Sequence, residues 1–324
     1  MKSTVTVVTL CTVLVVMGGC KKETTSLEPA PTAPAVNPLQ QVFADNLVAS
    51  TQHFTVNVDN TIAHIDGAHG FFGGFEVHAF RHADGSIVSG NVDIDLVEAY
   101  TVGQMLWLNK QTMGLQGGQL KPLVSGGQFR LRAFQNGVAL RLAPDGGYAA
   151  VPSATFPDPA MEVFSGTLDG AGRITWTQWP NSPILPTDSA LLDSIPAVED
   201  FYYRFGTDSL NWINCDYFYS SSQPLTGIQV VCPSGYDHSN TAVWIVFPDL
   251  NSLANVYGGT GNVFEPGSGY EMPIGLNVVV VALSDIGGTY YSSFTNTTVT
   301  QGLNLPITLQ PTTLAEFQAA AEAL

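Results

Sequence analysis

Residues 90–100 set Val92, Ile94 and Leu96 against Asn91, Asp93 and Asp95. A period of two sends one row into a core and the other into water, so this segment reads as a half-buried strand. Residues 129–133 and 138–142 flank Gln135-Asn136-Gly137, and Asn-Gly supplies the positive φ that a tight hairpin turn needs. That hairpin puts its arginines on the solvent face. Farther along, the Val-rich runs 241–247 and 277–283 are too short for a preferred helix and read as buried strands. Leu303, Leu305, Ile307 and Leu309 alternate with Asn304, Pro306 and Thr308, and Pro306, which cannot donate to a ladder, predicts an edge strand. Glycines (32) and prolines (20) fall throughout the chain and mark frequent turns between short strands. Only the C-terminus carries a clear helix signal. Thr313 and Glu316 form an S/T-x-x-E capping box, and Leu314, Phe317, Ala321 and Leu324 share one face.

These patterns predict an all-β chain. At 324 residues and 45% apolar side chains it is long enough for two cores. The expected organisation is a β-sandwich over 39–152, a proline-rich connection over 153–187, and a second sandwich with a short terminal helix over 188–324. No period of 20 to 50 residues stands out, so a solenoid or propeller is not expected.

The first residues point to export. Lys2 precedes an apolar run, residues 4–17, which is short for a membrane span. Met17-Gly18-Gly19-Cys20 then resembles a lipobox, in which small residues let a peptidase reach a cysteine that carries lipid. Residues 1–19 are read as a signal peptide, Cys20 as the lipidation site, and 20–38, with Pro29, Pro31, Pro34 and Pro38, as a tether. An extended tether could hold the fold up to roughly 55 Å from the lipid. No Asp follows Cys20, which favours the outer membrane, on its periplasmic or cell-surface face. The formal charge of −16, from 11 basic and 27 acidic side chains, repels phosphate backbones and argues against a nucleic-acid partner.

Two blocks carry a resemblance. Residues 85–94, then Glu98-Ala99-Tyr100, the stretch 105–113 and Ser125-Gly126-Gly127-Gln128-Phe129 resemble a recurring module of uncharacterised Bacteroidota lipoproteins. Residues 210–218 resemble a "GWINCDRF" block of the same proteins, with Asn211 where that block commonly has Gly and Tyr217 where it commonly has Arg. The first module is also distantly similar to ZU5-type β-sandwiches, which serve as interaction modules. The resemblance, over residues 55–324, implies a fold and a location; it implies no activity.

With Cys11 lost in the signal and Cys20 lipidated, Cys215 and Cys232 remain in an oxidising compartment. Their midpoint falls in the turn-prone stretch 220–227, so a hairpin closed there would oppose them, and a structural disulfide is expected, stabilising by about 3 kcal/mol. Eight aromatic residues crowd 201–219. Alternation puts Trp212, Asn214, Asp216 and Phe218 on one face, a candidate ligand face mixing aromatic surface with hydrogen-bonding groups as a sugar site would. The competing reading has Asn214 and Asp216 satisfying backbone groups beside a turn. His64, His69, His78 and His82 lack metal-ligand spacing, and neighbouring glycines predict turns, so neither a metal nor a cofactor is expected. Hydrolase motifs are missing, and no catalytic residue is assigned. The expected function is a non-enzymatic envelope or surface lipoprotein that binds a glycan or protein partner. The alternative is a secreted glycan-active hydrolase using dispersed carboxylates among Asp93, Asp95, Glu98, Glu199 and Asp200.

Overall fold

The computed structural model describes residues 37–153, 158–180, 184–188, 201–267 and 270–324. Cys20, the signal segment and the tether up to residue 36 lie outside the described residues, as do Glu199 and Asp200. Val36–Leu324 forms one unit. The fold is all-β, and among the described residues α-helix is confined to α1 (Leu39–Ala49), α2 (Val102–Trp107) and α3 (Leu314–Glu322).

An eight-stranded sheet runs Gln52–Asn57, Asn91–Ala99, Gln119–Gln135, Trp212–Phe218, Glu162–Leu168, Ile174–Gln178, Met113–Gln116, with Val138–Ala139 paired to the end of Gln119–Gln135. Met113–Gln116 also pairs back onto Gln119–Gln135, so the last five strands of the path close a ring. Glycines make that ring narrow enough to fill. A Cβ on Gly166 would come within 2.8 Å of Trp176 and of Trp212, and one on Gly114 within 2.8 Å of Phe218. The outer face of this sheet packs on a five-stranded sheet running Leu185–Asp188, Phe201–Thr207, Gly147–Ser153, Phe72–Phe75, Ala63–Asp66. Val92, Ile94 and Leu96 enter the core between them, as their alternation predicts, together with Phe129, Leu131, Phe75 and Phe205.

The other face meets a second five-stranded sheet, ordered Ser252–Val256, Thr241–Phe247, Asn277–Ile286, Thr289–Thr298, Gln310–Thr312. Trp244, Val246, Val279 and Val281 join Leu123, Phe164, Trp176 and Trp212 in a core that all three helices cover. Alternate residues Val243, Ile245, Phe247, Val278 and Val280 face a third core. A small sheet of Val263–Phe264, Ile228–Val231 and Leu303–Pro306 contributes Ile228, Val230 and Phe264 to that core, and Leu303–Pro306 lies at its edge, as Pro306 requires. The Asn136-Gly137 turn forms with φ of 52° and 77°. The α3 capping box is present, with Phe317 and Ala321 buried.

The organisation differs from the expected division. The segment expected to connect two sandwiches carries Glu162–Leu168 and Ile174–Gln178, both inside the eight-stranded sheet, and Phe201–Thr207 and Trp212–Phe218 also belong to the first pair of sheets. Of the described prolines there, Pro159 and Pro180 sit between short strands and Pro186 lies within Leu185–Asp188. The two parts are stitched by residues 109–112. Thr112 accepts and donates across to Leu253, the Gln111 carbonyl accepts from Trp176 Nε1 at 2.6 Å, and Asn109 Oδ1 accepts from Trp244 Nε1 at 2.9 Å.

Candidate functional site

Trp212, Asn214, Asp216 and Phe218 do share one face of their strand, but that face turns into the ring. Trp212, Asn214 and Asp216 are fully buried, and only Phe218 is half-exposed. As a ligand face the first three are therefore corrected to core. Asn214 Nδ2 donates to Asp216 Oδ2, and the Ser125 hydroxyl donates to Asn214 Oδ1 at 3.3 Å. Opposite them the ladder shifts register, two residues (Gly126 and Gly127) standing against one. Burial raises the Asp216 carboxyl well above its ordinary range. Lys110 Nζ and the Arg130 guanidinium lie 5.9 and 5.7 Å from the Trp212 ring. Burial, helped by repulsion from Arg130, lowers the Lys110 ammonium to about 8.

Cys215 and Cys232 are free thiols, which overturns the expected disulfide. The reason is strand pairing. Trp212–Phe218 has both edges occupied, by Gln119–Gln135 and Glu162–Leu168, and so cannot also pair with Ile228–Val231. That strand instead lies between Val263–Phe264 and Leu303–Pro306. Cys215 points into the first core and Cys232 into the third. Burial raises both thiols, Cys232 to about 12, so neither is a ready nucleophile.

Of the candidate carboxylates, the described Asp93, Asp95 and Glu98 serve the fold. Asp93 accepts from the Thr55 hydroxyl at 2.8 Å and Asp95 lies 2.8 Å from His53 Nδ1, both on the wetted face of the first two strands. Glu98 is buried and staples a loop: it accepts the N–H groups of Phe71 (2.9 Å) and His69 (3.1 Å) and the Gln52 amide (2.6 Å). Gly67 fits only because it has no Cβ, which would lie 2.5 Å from the Glu98 carboxylate. Glu98 and Glu322 do line one cleft of about 320 Å³, with Trp107 and Gln104. His64 and His69 are exposed, and His78 and His82 partly so; among the described residues no group of His, Cys, Asp or Glu gathers to hold a metal ion.

At the ring's open end lies a cleft with both aromatic and polar lining. Phe218 and the next residue, Tyr219, half-buried, line a cleft of about 400 Å³ with Gln116, Lys121, Ser220 and Glu271. Phe218 is held edge-on to Phe164 at 5.4 Å, Tyr219 N–H donates to the Pro122 carbonyl, and Lys121 Nζ reaches Gln116 Oε1 at 2.7 Å. Phe218 is thus held by the ring wall, Tyr219 packs against the third core, and amide, hydroxyl and charged groups line the cleft beside them. Sequence reasoning picked out Phe218 but missed Tyr219, whose place in the cleft follows from a pairing 97 residues away in sequence.

No protein-family model matches the chain, and no curated protein matches it. Among solved structures it is similar to the Bacillus anthracis TIE protein, at 12% identity and a TM-score of 0.18. That overlap spans 80% of this chain and 40% of the other, and is too slight to bear on fold or function.

Proposed function

We propose that this chain is a non-enzymatic, lipid-anchored binding module of the bacterial outer membrane that holds a glycan in the Phe218–Tyr219 cleft. The observation that carries the reading is the cleft itself, where the aromatic rings of Phe218 and Tyr219 lie beside the Gln116 amide, the Ser220 hydroxyl and the Lys121 and Glu271 charges. Sugar rings offer C–H faces to aromatics and hydroxyls to such polar groups. Cys20 supplies the anchor in this reading, and the tether carries the cleft away from the lipid.

A glycan array probed with the detergent-solubilised chain tests it. Specific retention that Tyr219→Ala abolishes is expected, and no retention by any glycan would refute it. Turnover of a retained glycan that Glu98→Gln or Glu322→Gln stops would replace binding with hydrolysis, the second reading that their shared cleft allows. Cys20→Ser should end metabolic lipid labelling and release the protein from the membrane fraction; unchanged labelling would remove the anchor.

A further inference from the structure

The three helices bring their C-terminal ends to one place. α1 ends at Ala49 with Ser50 as its cap, α2 at Trp107 with Leu108, and α3 at Glu322, and all of these residues line the cleft of about 320 Å³ that Glu98 also lines. Asn46 Nδ2 donates to the Trp107 carbonyl at 2.9 Å and ties α1 to the end of α2. α2 in turn packs so closely on α3 that a Cβ on Gly103 would strike the Ala321 carbonyl. A helix C-terminus carries the negative end of the helix dipole, which a Lys, Arg or His in the last turn offsets. None of the three helices has a basic residue there.

Side chains add charge of the same sign. Glu98 is held by the Phe71 and His69 N–H groups and the Gln52 amide, so its oxygens are engaged and it acts on the cleft through its field. Glu322 is exposed and can be touched directly: its Oε1 accepts from Gln318 Nε2 at 2.9 Å, and its other oxygen has no partner among the described residues. No Lys or Arg is among the described residues lining the cleft, and His69 is the only other titratable side chain there. Trp107, half-buried against the helix-covered core, supplies aromatic surface.

Two carboxylates and three helix ends with no fixed cation among them select a positive charge. The kind of cation follows from what else is present. A metal ion needs several free donors, whereas the Glu98 oxygens are taken and no group of His, Cys, Asp or Glu gathers among the described residues. An organic ammonium needs one accessible carboxylate, and gains from an aromatic neighbour. We propose that this cleft binds an alkylammonium group, its nitrogen at Glu322 and its carbon chain against Trp107. A free amine and a lysine side chain share that chemistry. The described lining of this cleft has no residue in common with that of the Phe218–Tyr219 cleft, and the proposal does not rest on the glycan reading.

Isothermal titration calorimetry of the full chain at low ionic strength tests the proposal, with n-pentylamine, Nα-acetyl-L-lysine amide and the neutral isostere 1-pentanol as probes. At least one amine should bind saturably and 1-pentanol should not, and the tighter amine tells a free amine from a lysine side chain. Glu322→Gln should weaken binding by about tenfold through loss of a charge-assisted hydrogen bond. Glu322→Lys, which sets an ammonium where the α3 dipole favours one and so keeps the helix, should abolish it. Tyr219→Ala and Glu271→Gln, both in the other cleft, should leave amine binding unchanged, and its loss in either would move the amine there and overturn the assignment. No saturable binding by either amine would also overturn it, as would equal binding of 1-pentanol or binding that survives both Glu322 variants. No sugar enters the experiment, so its outcome is independent of whether the Phe218–Tyr219 cleft holds a glycan.

Discussion

Replacing Asp216 with asparagine should change the slope of stability against pH as well as its level. The Asp216 side chain has no solvent exposure, and its Oδ2 takes a hydrogen bond from Asn214 Nδ2. The Ser125 hydroxyl and the Gly126 N–H favour the charged form, but neither reaches Oδ1 in good hydrogen-bond geometry, and burial outweighs them and raises the carboxyl well above its usual range. A carboxyl whose pKa is higher folded than unfolded keeps its full contribution below the unfolded value. It loses that contribution as pH climbs toward the folded value, because only the unfolded chain gives up the proton. The loss runs at about 1.4 kcal/mol per pH unit in that window. Asparagine has no proton to lose. Wild type and variant share every other titrating group, so the difference between them isolates this one, and the variant should gain on wild type by that slope. Urea midpoints taken from about pH 4 to about pH 8, at constant m, measure it. Parallel curves would mean that Asp216 titrates alike in both states, and the argument from burial would fail.

Three further outcomes follow from the packing. Both Cys215 and Cys232 should alkylate fully in denaturant without reductant, and reductant should leave the unfolding midpoint unmoved; a mass two hydrogens short would restore the disulfide. Gly166→Ala should cost about 1–3 kcal/mol by overpacking, because its Cβ would sit 2.5 Å from Ile174 and 2.8 Å from two tryptophans, and an unchanged urea midpoint would show that the ring has slack. Thr101→Ala should cost about 1 kcal/mol through loss of the α2 capping box, read from the same denaturation curves; no change would mean that tertiary contacts alone hold α2.

Local signals were legible where local chemistry decides. Asn136-Gly137 turns because few other pairs accept two positive φ values, and Thr313 with Glu316 starts a helix because each satisfies the other's backbone. The same reading extends to what was passed over. Thr101 and Gln104 make an equivalent box that opens α2, and Leu39, Phe43 and Leu47 recur at helical spacing in α1 after Pro38, inside a stretch read as strand-like. Asp93 and Asp95 stay wet while Val97 and Ala99, on the same face of one strand, are buried in the helix-covered core. The change from acid to apolar residues along a single row marks where α1 and α2 lie.

The site was less legible, because alternation assigns side chains to faces and says nothing of what each face meets. In Trp212–Phe218 it grouped the four residues of the candidate face correctly. Yet Ile213 and Cys215 on the opposite side are apolar too, and five successive residues, 212–216, are buried. A strand dry on both faces belongs between layers, and a strand between layers in the middle of a sheet has both edges paired. The hairpin expected across residues 220–227 offered the nearest partner in sequence, whereas the actual partners, Gln119–Gln135 and Glu162–Leu168, lie far upstream. Choosing them depends on the Gly126-Gly127 irregularity that lets Asn214 and Asp216 meet Gln128 and Ser125, and on the glycines that admit two tryptophans to the ring. Only where the ring opens does the predicted row reach solvent, at Phe218, which there lines a cleft with its neighbour Tyr219.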